Sequence, residues 1–147
     1  MPSPLPWQSG LAPGAELPAG FLLRPALEVA RGLLGYRLVS MIGGRRTSGV
    51  IVETEAYDGP HDPASHAATL RGPTKRNAVM FGPAGFSYVY RIYGMHWCMN
   101  VVTGPEGDAG AVLLRGLHAM EGQEVMKQRR GCEPLSTGPG RLCEALG

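Results

Sequence analysis

The segment Val50–Tyr57 reads V-I-V-E-T-E-A-Y and places two carboxylates two positions apart in an otherwise strand-like apolar run. Side chains two positions apart share a face of a strand, so Glu53, Glu55 and Tyr57 are expected to point the same way. The opposite face is then expected to carry Val50, Val52, Thr54 and Ala56. A partly desolvated carboxylate beside an aromatic ring suits a general base under a flat substrate. The segment alone also fits two glutamates on the solvated face of a hairpin.

A second chemistry-bearing segment reads F-S-Y-V-Y-R-I-Y-G-M-H-W-C-M-N and predicts a hairpin that turns at Gly94. Tyr88, Tyr90 and Ile92 are expected to share one strand face. Tyr93 is expected at the tip, where an aromatic ring can act as a wedge between base steps. The alternative is the ordinary preference of tyrosine for strands.

Polar residues elsewhere offer further candidates. His61 and His66 bracket H-D-P-A-S-H, but no third ligand stands at a diagnostic spacing, so they are interpreted as part of a loop wall and not as a metal site. Asn100 lies on the return strand, where an inward amide needs a partner. Arg115 is expected to end the apolar strand A-V-L-L-R and to pair with a carboxylate, for which Glu55 is the candidate. No P-loop, dinucleotide-binding, nucleophile-elbow or zinc-deaminase pattern occurs.

Composition narrows the class of protein. The chain has 147 residues, 44% hydrophobic and 18% charged, which fits one globular domain with a core. No apolar run is long enough to span a membrane, and the start does not resemble a secretory signal. The three cysteines are widely spaced and are expected to be reduced thiols in the cytoplasm. The net charge of +2 permits nucleic-acid binding without implying it.

The order of predicted elements favours an α+β domain with antiparallel pairing. Residues 1–20 contain five prolines and are expected to form a flexible arm before a domain over 21–147. A helix is predicted over Pro25–Leu34, with Leu27, Ala30 and Leu34 on one face. The remaining predictions are a loop over Asp58–Gly72, helices over Met120–Arg130 and Gly140–Leu146, and strands over Tyr36–Ile42, Ser48–Tyr57, Phe86–Tyr93, His96–Val102 and Ala111–Leu117.

Five ordered motifs together resemble one family. They are G-V-I-V-E-T-E-A-Y, G-P-x-D-x-A-S-H, T-K-R-N-x-V-M-F, Y-V-Y-R-I-Y-G-M-H-x-C-M-N and A-V-L-L-R. Over residues 20 to 147 they are similar to the alkyladenine (3-methyladenine) DNA glycosylase family of base excision repair. The resemblance implies one domain built around a curved antiparallel sheet with a protruding hairpin and flanking helices, without metal or cofactor. It also implies a cytoplasmic, DNA-associated monomer whose partner is double-stranded DNA containing damaged purines.

The resemblance implies a role for each matching residue. Glu55 matches the general base that activates the hydrolytic water, and Arg115 matches the arginine that positions that water and the carboxylate. Tyr57, His66 and Tyr90 match the aromatic walls that stack on the flipped purine.

The resemblance also covers the surface that meets DNA. Tyr93 matches the residue that takes the place of the extruded nucleotide, and Asn100 matches a pocket residue that excludes the exocyclic amine of guanine. Arg76 and Arg91 are expected to contact the DNA backbone; Arg91 stands where relatives commonly have an apolar residue.

One feature departs from the family pattern. The family fold continues for a few dozen residues past the G-P-G-R-L-C motif, and that stretch supplies a strand and a backbone carbonyl near the catalytic water. The chain is therefore expected to be either a natural short form or a truncated copy. Its expected function is that of an enzyme that removes 3-methyladenine, 7-methylguanine or hypoxanthine, and the alternative is a damaged-base-binding protein without catalysis. A nucleoside hydrolase is a weaker alternative, because a free nucleoside needs no wedge at Tyr93.

Overall fold

The computed structural model describes residues 16–59, 62 and 73–147. Most of the predicted N-terminal arm and of the predicted loop Asp58–Gly72 lies outside these residues. His61 and His66 lie outside them too, so their predicted roles stay predictions.

Five strands form one antiparallel sheet in the order β1-β2-β5-β4-β3. The strands are β1 (Arg37–Ser40), β2 (Thr47–Asp58), β3 (Ser87–Ile92), β4 (His96–Thr103) and β5 (Gly110–Ala119). Gly43 and Gly44 both adopt positive φ in the turn between β1 and β2, a conformation that glycine tolerates without strain. The β3–β4 hairpin extends beyond the sheet, because β4 pairs with β5 only from Asn100 onward.

Three helices of eight residues flank the sheet: α1 (Ala26–Leu33), α2 (Gln123–Arg130) and α3 (Pro139–Leu146). Together with the single antiparallel sheet they confirm the predicted α+β class. In the described part of the chain, every helix is too short or too polar to cross a membrane. The face predicted for α1 is only partly the buried one. Ala30 is buried, but Leu27 and Leu34 are exposed, and the other buried residues are Ala26, Val29 and Leu33.

The two faces of the sheet have different surroundings. One face packs against all three helices in the main core, which includes Ile51, Leu114, Leu117, Val29, Met126 and Leu142. The other face carries a smaller cluster of Met80, Tyr88, Val102, Ala109 and Ala111, with Phe81 and Tyr90 packed against it. This second face therefore has room for functional side chains.

The central strands are less regular than the alternation of residue types predicts. Strand β5 does not end at Arg115 but continues to Ala119. The register between β2 and β5 shifts on both sides of Glu53. As a result, Ile51 and Ala56 both pack in the main core, whereas Val50 and Val52 do not. The face predicted to carry Val50, Val52, Thr54 and Ala56 is therefore interrupted at Val52.

Candidate active site

Four strands bring distant residues into one row across the sheet. Glu55 pairs with Leu113, Leu113 pairs with Asn100, and Asn100 pairs with Tyr88. Adjacent strands lie about 4.8 Å apart, so this row is about 14 Å wide. Residues up to 58 positions apart along the chain thereby line one surface.

Both carboxylate oxygens of Glu55 have partners. The Arg115 guanidinium donates a hydrogen bond to Oε1 and forms an ion pair with it. The Tyr57 hydroxyl donates to Oε2 over 2.8 Å. A carboxylate has about four acceptor positions, so these bonds leave positions for a further donor such as water. The sequence-based pairing of Glu55 with Arg115, and its placement beside Tyr57, agree with this geometry.

Stability alone does not account for the Glu55–Arg115 pair. The two side chains are 40% and 41% exposed, and ion pairs so open to water contribute only about 0–1 kcal/mol. Its main consequence is orientation, since a guanidinium holds a carboxylate in a defined plane. The hydrogen bond with Glu55 also raises the pKa of Arg115, so the guanidinium stays charged.

The backbone of Arg115 is fixed from the other side by the segment that leads into α3. The Gly138 amide donates to the Arg115 carbonyl over 2.8 Å, and Thr137 forms a bridge with Gly116. The segment thus takes the place beside β5 where pairing with β4 has stopped. Sequence reasoning missed this support, because a turn around Gly138 carries no signal of pairing with a distant strand.

Tyr57 and Tyr90 lie on opposite sides of the row that carries Glu55 and Asn100. Tyr57 pairs with Ala111, two residues from the row in one direction along the strands. Tyr90 pairs with Cys98, two residues from the row in the other direction. Burial, followed by the hydrogen bond to Glu55, raises the pKa of Tyr57 to about 12. Burial also raises the pKa of Tyr90. Both phenols therefore remain protonated and neutral at physiological pH.

Asn100 is buried, with 3% of its surface exposed. Its Nδ2 donates to the Tyr88 carbonyl over 3.3 Å, which answers the expectation that an inward amide needs a partner. The adjacent rings of Tyr88 and Tyr90 lie 5.3 Å apart between centroids. The buried amide and the two adjacent rings thus form one packed group on this face of the sheet.

The hairpin tip is separate from this group of side chains. Tyr93 is 89% exposed and adopts a φ of 51°, a left-handed conformation that is uncommon for a residue with a side chain. Met95 beside it is 66% exposed. Two large apolar side chains at an exposed tip are unfavourable in water, which is consistent with a surface that meets a partner.

Arg76 and Arg91 meet near the same end of the hairpin. Nη2 of Arg76 donates to the backbone carbonyl of Arg91 over 2.5 Å, at the outer edge of β3. The Arg91 guanidinium lies 5.8 Å from the centre of the Trp97 ring. Sequence reasoning did not single out Trp97, although counting back from the turn at Gly94 would have placed it opposite Arg91.

Among the described residues, no three His, Cys, Asp or Glu side chains are grouped to hold a metal ion. The three cysteines are free thiols. The groups that can do chemistry are thus a carboxylate, a guanidinium, phenols and an amide. Such a set can accept a proton from water and can hold a flat aromatic ligand.

Comparison with known proteins matches the chain to one family. Residues 20–147 match the family model described as methylpurine-DNA glycosylase (MPG). A relative from Granulibacter bethesdensis is 54% identical over 134 residues, covering 89% of this chain and 60% of the relative. One from Myxococcus xanthus is 55% identical over 131 residues, covering 89% of this chain and 63% of the relative.

A relative from Rhodopseudomonas palustris is 50% identical over 150 residues, covering 99% of this chain and 69% of the relative. All three relatives bear the name "Putative 3-methyladenine DNA glycosylase". The chain spans 60–63% of the length of the first two of these curated relatives.

Proposed function

Since the chain belongs to the methylpurine-DNA glycosylase family, we propose that it flips alkylated or deaminated purines out of duplex DNA and hydrolyses their N-glycosidic bond. The observation that carries the proposal is the Glu55 carboxylate, held by Arg115 and Tyr57 on the sheet face opposite the helices. Substrates of this class are 3-methyladenine, 7-methylguanine and hypoxanthine.

In the proposed reaction, Glu55 removes a proton from a water molecule. The water oxygen attacks the anomeric carbon of the sugar, and the bond from that carbon to the purine nitrogen breaks with its electrons leaving on the base. An N-alkylated purine carries a positive charge, so it departs as a neutral base without a proton donor. Hypoxanthine is neutral in DNA, so it departs as an anion that then takes up a proton from water. The Glu55 carboxylate also stabilises the positive charge that develops on the sugar.

Tyr57 and Tyr90 are the proposed walls for the flipped base, with His66 as a third wall outside the described residues. A positively charged purine against a tyrosine face gains about 1–2 kcal/mol from the cation–π interaction. Asn100, fixed by its bond to the Tyr88 carbonyl, is proposed to exclude the exocyclic amine of normal guanine. Selectivity then comes from stacking, which favours charged lesions, and from the amide, which rejects a normal base.

Extrusion of a nucleotide costs a few kcal/mol of lost stacking and pairing. Tyr93 is proposed to offset this cost by entering the gap, and its exposure of 89% leaves it free to do so. Arg76 and Arg91 are proposed to contact backbone phosphates, which would make binding depend strongly on salt. Damaged double-stranded DNA is thus the proposed partner, bound by one copy of the chain in the DNA-containing cytoplasm.

The test compares two matched substitutions in one strand. Glu55→Gln removes the proton acceptor but keeps the shape of the side chain, and Glu53→Gln makes the same change at an exposed position across the register shift. With protein in excess over a hypoxanthine or 7-methylguanine duplex, Glu55→Gln should abolish alkali-labile breaks while the duplex stays bound. Glu53→Gln should cleave at a rate close to that of the unchanged chain.

Two outcomes would contradict the proposal. Equal cleavage by Glu55→Gln and the unchanged chain would refute the role of this carboxylate. Salt-sensitive lesion binding by the unchanged chain with no cleavage would instead establish the alternative of a damaged-base-binding protein.

A further inference from the structure

The β3–β4 hairpin has a second face that the proposed pocket does not use. Alternation along the strands places Val89 and Arg91 opposite Met99 and Trp97, on the side away from Tyr90. Trp97 is 50% exposed and Val89 is 47% exposed. An aromatic ring this open to water is not explained by packing in either core cluster.

The positive charges at this end of the hairpin have no acidic partner within the described residues. Among the described residues, the basic members of ion pairs are Arg37, Arg46, Arg115, Lys127 and Arg130, and neither Arg76 nor Arg91 is one of them. Arg76 instead donates to the Arg91 carbonyl over 2.5 Å, and the Arg91 guanidinium lies over the Trp97 ring. In the part of the chain that the structure describes, both arginines therefore have a neighbouring group but no carboxylate to neutralise them.

A cation–π interaction leaves the hydrogen-bonding edge of a guanidinium available. Cζ of Arg91 lies 5.8 Å from the centre of the Trp97 ring, within the range of a cation–π interaction. The N–H donors of a guanidinium lie in the plane of the group, so an interaction with an aromatic ring does not consume them. A planar, unneutralised fork of donors matches the geometry of a phosphate group. The Arg91 backbone lies two residues before Tyr93, at about 7 Å along the strand.

We propose that Trp97 is a positioning residue that holds the Arg91 guanidinium against a DNA backbone phosphate beside the nucleotide displaced by Tyr93. The inference rests on the proposed DNA-binding function and extends it to the outer face of the hairpin. Trp97 acts through Arg91: it limits the orientations of a long flexible side chain, so that less conformational freedom is lost on binding.

The test is a double-mutant cycle on duplex affinity, measured by fluorescence anisotropy of a labelled hypoxanthine duplex over a range of salt concentrations. The variants are Trp97→Leu, Arg91→Gln and the two combined. Phe86→Leu is the matched control, because it removes another exposed aromatic ring, 60% exposed, from the start of the same hairpin. Melting temperatures confirm that each variant is folded.

The expected pattern separates a lost contact from lost positioning. Arg91→Gln removes one phosphate contact, so the negative slope of log affinity against log salt should become shallower by about 0.9. Trp97→Leu keeps the charge, so the slope should stay unchanged while affinity falls about 2- to 5-fold at every salt concentration. In the Arg91→Gln background, Trp97→Leu should have no further effect, and Phe86→Leu should match the unchanged chain.

Several results would overturn the inference. One is an affinity for Trp97→Leu equal to that of the unchanged chain; another is a loss that persists in full without Arg91, which would mean that the indole contacts DNA itself. A shallower slope of log affinity against log salt for Trp97→Leu would contradict the inference too. If the unchanged chain releases base and these variants bind the duplex with the same affinity as it does, this inference alone fails. If the unchanged chain binds no duplex at any salt concentration, the proposed function is refuted as well.

Discussion

Removal of a single hydroxyl group, by Tyr57→Phe, separates the two roles proposed for Tyr57. The ring that would stack on the purine is retained, and the O–H donor that lies 2.8 Å from Oε2 of Glu55 is lost. Base binding and catalysis should therefore respond differently to this substitution.

The expected magnitude follows from the surroundings of the bond. A hydrogen bond to a charged group contributes about 1.5–3 kcal/mol. Because the Glu55 side chain is 40% exposed, water competes for the carboxylate and the lower end applies. If poorer orientation of the general base raises the activation free energy by about 1.5 kcal/mol, the rate of base release falls roughly tenfold.

The assay is single-turnover release of hypoxanthine, together with the affinity for the same duplex. Tyr57→Phe should cleave about tenfold more slowly and bind with an affinity within about twofold of the unchanged chain. Tyr57→Leu, which also removes the ring, should lose affinity as well. An unchanged rate for Tyr57→Phe, or a loss of affinity with the rate preserved, would refute the reasoning.

Four further predictions follow from the same geometry. Tyr93→Ala should weaken lesion binding and slow single-turnover cleavage without changing the melting temperature, because the side chain is 89% exposed; an unchanged rate would refute the wedge. Asn100→Ser should raise the release of guanine relative to hypoxanthine and lower the free energy of unfolding by about 1 kcal/mol, since a buried hydrogen bond is lost; unchanged selectivity would contradict the proposed exclusion. Folding raises the pKa of Tyr57 to about 12, so the unfolded chain loses this proton at lower pH than the folded chain does. The free energy of unfolding, measured by urea titration, should therefore fall between about pH 10 and about pH 12. The fall should be less steep in Tyr57→Phe, which lacks the titrating group. Burial raises the pKa of the Cys143 thiol to about 11 and also that of Cys98, so a thiol reagent near neutral pH should label exposed Cys132 first, as mass spectrometry would detect.

The sequence predicts the strands and the shared face of Glu55 and Tyr57 because local patterns determine both. Alternation along β2 places these two side chains together, and the glycine at position 94 marks the turn that brings β3 and β4 into register. The pairing of Glu55 with Arg115 was also predictable, because a guanidinium within an apolar strand needs an acceptor.

The features that the sequence did not predict depend on contacts between distant segments. The register shift around Glu53 involves β2 and β5 together, so alternation within β2 alone could not reveal it. The buried face of α1 depends on how the helix lies on the sheet, and Leu27 faces water although it is apolar. The support of Arg115 by Gly138 involves a backbone amide, which leaves no mark on residue type.

The most direct test of the central claim is chromatographic measurement of the free purine released when excess chain acts on a 7-methylguanine or hypoxanthine duplex. Hydrolysis by water predicts one free base for each alkali-labile site, with the DNA strand intact before alkali and no protein–DNA adduct trapped by borohydride. Bound duplex without free base, or a trapped covalent adduct, would contradict the account.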